Sequence, residues 1–356
     1  MIVGQSHSFD SSGNSNTQQE QTPPRSVDDY LETAYRHANI GNRLSFRDML
    51  QHWRYYIIFL GLGIANSGDS AELGLTNYLL SSVHFQRDIL SNDGEDGAAA
   101  NADFARRGAS IAGAHFAGML ISGIFSGILA DVWGRRATLL LGLTCNATVG
   151  VLSAGARNAA DLCFLRFLLG IGLGMVIAGV VTLCAELSIP SKRGRTMTLV
   201  GACYTLGFLF TAFVALVVFG AEGSGNWRLF CVLNALPSVV AASLVAMFVP
   251  ESPRFYLCRR QTKEAVFTCN TLATRMGTTD NLLTEEELTN SIDSNEREDT
   301  SYLVVEGTFL EELCTSLVRI KQVFAHGMHR RTIPLQMTYF SITLVTGEAY
   351  FINLNR

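Results

Sequence analysis

Six apolar stretches, at about residues 55–83, 108–130, 137–152, 162–183, 197–219 and 227–249, occupy most of positions 51–250. Crossing a hydrocarbon layer ~30 Å thick takes about 20 helical residues, and inside lipid each backbone polar group must be satisfied within its own helix. Most of the stretches reach that length. The third falls short, which predicts that its helix continues past its apolar core. The expected fold is an all-α polytopic membrane protein built around a six-helix bundle. Composition agrees, because 48% apolar and 16% charged residues, with a mean hydropathy of +0.23, leave too little charge to cover a soluble protein of 356 residues. A net charge of −4 without a clustered basic face argues against a nucleic-acid partner.

Four regions are expected. Residues 1–50 form a cytosolic N-terminal arm, disordered in its Ser/Asn/Gln-rich start and amphipathic from Ser26-Val27-Asp28-Asp29 onward. Residues 51–250 form the bundle, 251–332 a polar cytosolic loop with some helix, and 333–356 the incomplete start of a seventh helix. Orientation follows from Lys and Arg. With the N-terminus inside, twenty of the twenty-seven lie on the cytosolic side, and the short corners decide it, since Arg135, Arg136, Lys192, Arg193 and Arg195 share one side. No secretory signal opens the chain. The eight cysteines show no C-x-x-C, so reduced thiols are expected rather than a disulfide framework or zinc site.

An ionisable side chain inside a membrane helix costs ~2.5–3.5 kcal/mol on insertion scales and therefore has a partner or a function. Asp69 and Glu72, three residues apart in the first stretch, share a helical face that Asn66 and Thr76 extend. Such a stripe should face a water-accessible cavity rather than lipid. Arg166 lies at a matching depth in the fourth stretch, which makes an Asp69–Arg166 or Glu72–Arg166 pair feasible and a cation-binding or proton-exchanging carboxylate the candidate site. His115, at similar depth, is a candidate relay member. Gly170, Gly172 and Gly174 lack the spacing of a nucleotide loop and instead suit close helix approach. Pro237 predicts a kink in the sixth stretch.

Charges also gather at each expected cytosolic end: Asp131, Arg135 and Arg136; Glu186, Lys192, Arg193 and Arg195; Glu251 and Arg254. Interhelical pairs among them would be individually weak, about 0–1 kcal/mol, and so suited to a gate that opens. The tight corner Gly127-Ile-Leu-Ala-Asp131-Val-Trp-Gly134-Arg135-Arg136, with RFLLGIGLG, AELSIPSKRGR and PESPRFYL after it, resembles the sugar-porter-like branch of the major facilitator superfamily in both order and position. The stretch SGDSAELGLTNYLLSS is most similar to the synaptic vesicle glycoprotein 2 group, with sugar porters and organic-ion transporters as close rivals.

The resemblance covers about residues 50–345. It implies two inverted three-helix repeats, Asp131 working across an interface with a second bundle, and corner arginines pairing with Glu186. It also implies alternating-access transport of a small organic solute, with a proton or sodium ion as candidate coupling partner and membrane lipid as surroundings. The residence is a plasma membrane or an intracellular vesicle. The second six-helix bundle is expected but absent from this sequence, so a lone half would leave its polar stripe without an opposing wall. A non-transporting receptor or scaffold, or a truncated fragment, is the competing expectation. No nucleophile–base pair, metal-ligand spacing or phosphate loop supports an enzyme, a cofactor or a metal site.

Overall fold

The computed structural model describes residues 27–37, 52–90, 98–220, 225–278 and 282–289. Residues 1–26, 38–51 and 290–356, with the rest of the expected polar loop and the expected seventh helix at 333–356, lie outside them. The described part is helical, without a strand. Helix α1 is Val27–His37, α2 is Trp53–Ser81, α3 is Ala98–Trp133, α4 is Arg135–Ser153, and α5 is Ala159–Leu187. Then come α6 (Arg193–Phe219), α7 (Trp227–Asn234), α8 (Leu236–Phe248), α9 (Pro253–Cys258) and α10 (Thr262–Arg275).

The third stretch is longer than its apolar core. It runs 19 residues from the arginines at Arg135 to Ser153, which at 1.5 Å per residue is about 28 Å and nearly sufficient to span. Among the described residues, four segments are long and apolar enough to cross a membrane: Arg135–Ser153, Ala159–Leu187, Pro190–Phe219 and Trp227–Phe248. Helix α3 adds a fifth as Ala105–Gly123 and Phe125–Trp133, bent by 47° where two Ser-Gly pairs, Ser122-Gly123 and Ser126-Gly127, weaken the helix. With 29 residues α2 has the length, but Asn66, Asp69, Ser70 and Glu72 lower its hydropathy, and it compensates by burying Asp69, Ser70 and Glu72 in the bundle. The sixth stretch breaks at Ala235 into α7 and α8, with Pro237 in the first turn of α8 where its missing N–H costs nothing.

Helix α2 packs on α6, and α3 on α5. Helix α4 packs on α5, α8 on α2, and α4 also on α8. Exchanging the first three spans for the last three maps this set of contacts onto itself, the pairing that an internal two-fold repeat produces. Close approach at the α3–α5 crossing depends on glycine. A Cβ on Gly170 would stand 2.1 Å from the His115 carbonyl oxygen, and one on Gly172, facing α4, would stand 2.1 Å from Asn146 Oδ1.

At one end of the bundle α1, α9 and α10 form a cap. The polar region after residue 250 is therefore more ordered than a solvated loop, as far as residue 278. Ala265, Cys269, Leu272, Ala273 and Met276 are wholly buried, against Val27, Tyr30, Leu31 and Ala34 of α1. Tyr30 Oη donates to Asn270 Oδ1 at 2.8 Å and accepts from the Leu283 N–H at 3.2 Å. Burial pushes the Tyr30 hydroxyl above its ordinary range, so it stays a neutral donor at physiological pH. At the opposite end Trp227 stacks edge-on to Phe85 at 5.4 Å and donates its indole N–H to Asp88.

Gly170→Leu should lower the thermal stability of the detergent-solubilised protein by at least the ~1–3 kcal/mol typical of overpacking. Gly201→Leu, where no heavy atom lies within 4 Å of the added Cβ, should leave it unchanged.

Candidate functional site

Where α2 meets α4 and α5, it carries Asp69 and Glu72 into the middle of the bundle. Both are enclosed, at 1% and 0% exposure, and so is Arg166 at 0%. Arg166 Nη1 of α5 lies 3.4 Å from Glu72 Oε2. Asp69 Oδ1 accepts instead from the Asn146 side-chain amide of α4 at 3.0 Å. Of the two pairings the sequence allows, the structure makes the one with Glu72. Gly150 leaves room for it, since a Cβ there would stand 2.7 Å from Glu72 Oε1.

The acids do not line an open vestibule, as their sequence pattern suggested. They are packed inside the half-bundle itself, so the polar stripe needs no wall from elsewhere. The site holds two carboxylates against one guanidinium. Asp69 Oδ2, Glu72 Oε1, Asn146 Oδ1, and Arg166 Nε and Nη2 have no hydrogen-bond partner among the described residues. Each buried ion costs several kcal/mol even after relaxation, so this cluster carries unspent bonding capacity in an enclosed setting. An excess carboxylate there can be neutralised by a proton or a cation.

Two candidates stand apart from this centre. Asn66 donates to the Val200 carbonyl of α6 at 3.0 Å, tying α2 to α6 rather than extending the acid pair. His115 is buried on α3 at 2% exposure, with no hydrogen-bond partner for either ring nitrogen among the described residues, so no relay contact joins it to Arg166. Sequence reasoning missed three contributors. Asn146 holds the Asp69 carboxylate from α4. Thr211 and Asn234 bond each other at 2.8 Å, and Thr211 also donates to the Ala71 carbonyl at 3.1 Å, closing α6 and α7 onto α2 beside the acids. The available signal was that all three are polar residues inside apolar stretches.

The corners meet at the capped end. Gly134 starts α4 at φ 107°, a backbone that favours glycine, and a Cβ there would stand 2.4 Å from Glu251 Oε2. Glu251 thereby reaches the N-terminus of α4, accepting from the Arg136 N–H at 3.0 and 3.1 Å, while Arg136 Nη2 donates to the Ala246 carbonyl at 2.6 Å. Arg135 lies between Asp131 Oδ1 at 3.2 Å and Glu186 Oε2 at 3.6 Å, with its guanidinium over the Phe255 ring at 5.4 Å. Arg193 and Arg254 both bond Asp28 of α1, a partner the sequence did not suggest. Arg195 is exposed, and Gly127 faces outward with no heavy atom within 4 Å of an added Cβ.

A corner motif at one end and an acid–arginine centre between the spans are the features of a polytopic membrane bundle. The profile of the sugar (and other) transporter family matches residues 69–354, and the chain belongs to that family. It is similar to human synaptic vesicle glycoprotein 2B, at 28% identity over 222 residues, which is 59% of this chain and 30% of the relative. It is also similar to organic cation/carnitine transporter 4 of Arabidopsis thaliana, at 28% identity over 234 residues, covering 65% and 42%. Among solved structures, the major facilitator superfamily proton:xylose symporter XylE superimposes with a TM-score of 0.56 at 20% identity, over 70% of this chain and 55% of that one. The chain thus spans less than half the length of these two curated relatives.

Removing one partner of the buried pair should be far worse than removing both. Arg166→Leu strands two carboxylates and should cost about 3–5 kcal/mol in unfolding free energy, whereas Glu72→Leu with Arg166→Leu should recover much of that loss. Denaturation in detergent of the single and double variants measures the coupling.

Proposed function

We propose that this chain forms one six-helix bundle of an alternating-access transporter that moves a small organic solute together with a proton or other monovalent cation. The observation that carries this reading is the charge imbalance at the enclosed centre. Glu72 takes the one arginine and Asp69 has only the Asn146 amide, so the site is electrically complete only when a carboxylate accepts a proton or a cation. That occupant would alter the attraction between α2 and α5, which belong to different halves of the internal repeat. Loading the site is thereby a means of shifting one half against the other. The proton:xylose symporter that shares the fold supports a proton as the coupling ion. The corner pairs around Arg135, Arg136 and Glu251 serve as the latch at the capped end, and the outward faces of α3 and α6, apolar at Leu120, Phe125, Leu206 and Leu209, suit contact with a second bundle or with lipid.

In proteoliposomes containing the protein together with a second bundle, addition of a transported solute should carry protons inward, read by an internal pH dye. Asp69→Asn should abolish that coupled proton movement while solute binding persists. Proton movement and uptake unchanged in Asp69→Asn and in Glu72→Gln would discard the reading.

A further inference from the structure

Helix α1 lies outside the six spans, yet its docking brings together corners that belong to different spans. Chain order joins it to α2, in the first half of the internal repeat, through residues 38–52. It docks on the second half: on the turn Pro190–Lys192 that leads into α6, on the start of α9 beyond α8, and on α10.

Two kinds of contact hold it there. Val27, Tyr30, Leu31 and Ala34 recur at helical spacing and bury against Cys269, Leu272 and Ala273 of α10. The Ala34 carbonyl accepts from Thr278 Oγ1 at 2.8 Å. On the neighbouring face Asp28 Oδ1 accepts from Arg193 Nη2 at 3.2 Å, and Asp28 Oδ2 accepts from Arg254 Nη2. Glu32 Oε2 accepts from the Ser191 N–H at 3.3 Å. One carboxylate therefore fastens the start of α6 to the segment that follows α8.

The balance of this docking is fine. An isolated helix of 11 residues is marginal in water, so α1 is helical only while docked, and leaving costs it its fold as well as its contacts. Docking is thus close to all-or-none. The Asp28 pairs are partly exposed at all three side chains, so each contributes little and salt weakens both. The buried centre around Glu72 and Arg166 makes no demand on α1.

We propose that α1 is a detachable clasp: docked, it binds the α6 and α9 corners to each other; released, it lets those corners part while the bundle core stays intact. The clasp does not depend on ion coupling. The Asp69 and Glu72 variants can leave transport untouched while α1 still fastens the corners.

The chain carries its own reporter. Cys269 is wholly buried beneath α1, and burial pushes its thiol up to about 12, whereas Cys258 at the end of α9 is exposed. In phosphatidylcholine nanodiscs the full chain is treated with N-ethylmaleimide, a neutral reagent. Modification of Cys269 is timed against Cys258 by peptide mass spectrometry, and hydrogen–deuterium exchange of residues 188–195 and 252–258 reads the corners in parallel. Cys269 should react far more slowly than Cys258. Asp28→Asn should speed it about fivefold through the loss of two partly exposed ion pairs. Leu31→Ala, which leaves every charge in place, should speed it at least ~30-fold. Both variants should raise exchange at both corners. KCl at about 0.5 M should speed Cys269 in the unsubstituted chain and much less in Asp28→Asn. Four results would each overturn the proposal: Cys269 as reactive as Cys258 in the unsubstituted chain, no effect of Asp28→Asn, an equal salt response in both chains, or a freed Cys269 with corner exchange unchanged.

Discussion

Charge in an enclosed interior is the constraint on which the rest of this structure depends. Glu72 and Arg166 meet at 3.4 Å with neither side chain reaching solvent, and Asp69 stands one turn away on an asparagine amide. Isolated, any of these groups would be expelled from a membrane bundle; together they are tolerable but incompletely satisfied. They dictate which helices must touch: α2 has to meet both α4 and α5, and the small residues at that junction follow from it. Gly150 makes room for the glutamate, and Gly172 makes room for the asparagine that holds the aspartate.

A different economy governs the capped end. There the ion pairs are partly exposed and each contributes little, yet they fasten three corners and an N-terminal helix into one layer. Glu251 sits on the N-terminus of α4, where backbone amides and dipole both favour an anion, and it explains why glycine precedes the two arginines. Asp28 draws together the corner before α6 and the start of α9. The apolar face of α1, buried on α10, holds that aspartate in place. A bundle with a strongly bonded middle and a weakly bonded end can loosen at its corners without losing its core.

The fold was legible because lipid imposes a length on every span, and six runs near that length admit few arrangements. The acid pair and Arg166 were legible for the same reason, since charge is conspicuous against apolar sequence. What stayed hidden was pairing in three dimensions. Helical spacing put Asn66 on the acid face, but α6 lies close enough to take its amide through the Val200 carbonyl. Spacing could not show that Asn146, Thr211 and Asn234 converge from three other helices, because neutral polar residues give weak signals singly. Nor could it show that α1 folds back on α10, because that contact joins residues about 240 apart, as Tyr30 and Asn270 do. The expectation of an open vestibule failed because a helical stripe says which face is polar, not what packs against it.

For the buried centre to exist, Arg166 must reach inward to α2 within a bilayer. Solid-state NMR of the lipid-reconstituted chain, recoupling the Arg166 guanidinium nitrogens with the Glu72 carboxyl carbon, tests this directly. The strong dipolar dephasing of a contact near 3.4 Å between nitrogen and carboxyl oxygen is the predicted result. Absence of dephasing, with the Arg166 nitrogens instead coupled to lipid phosphate, would contradict it.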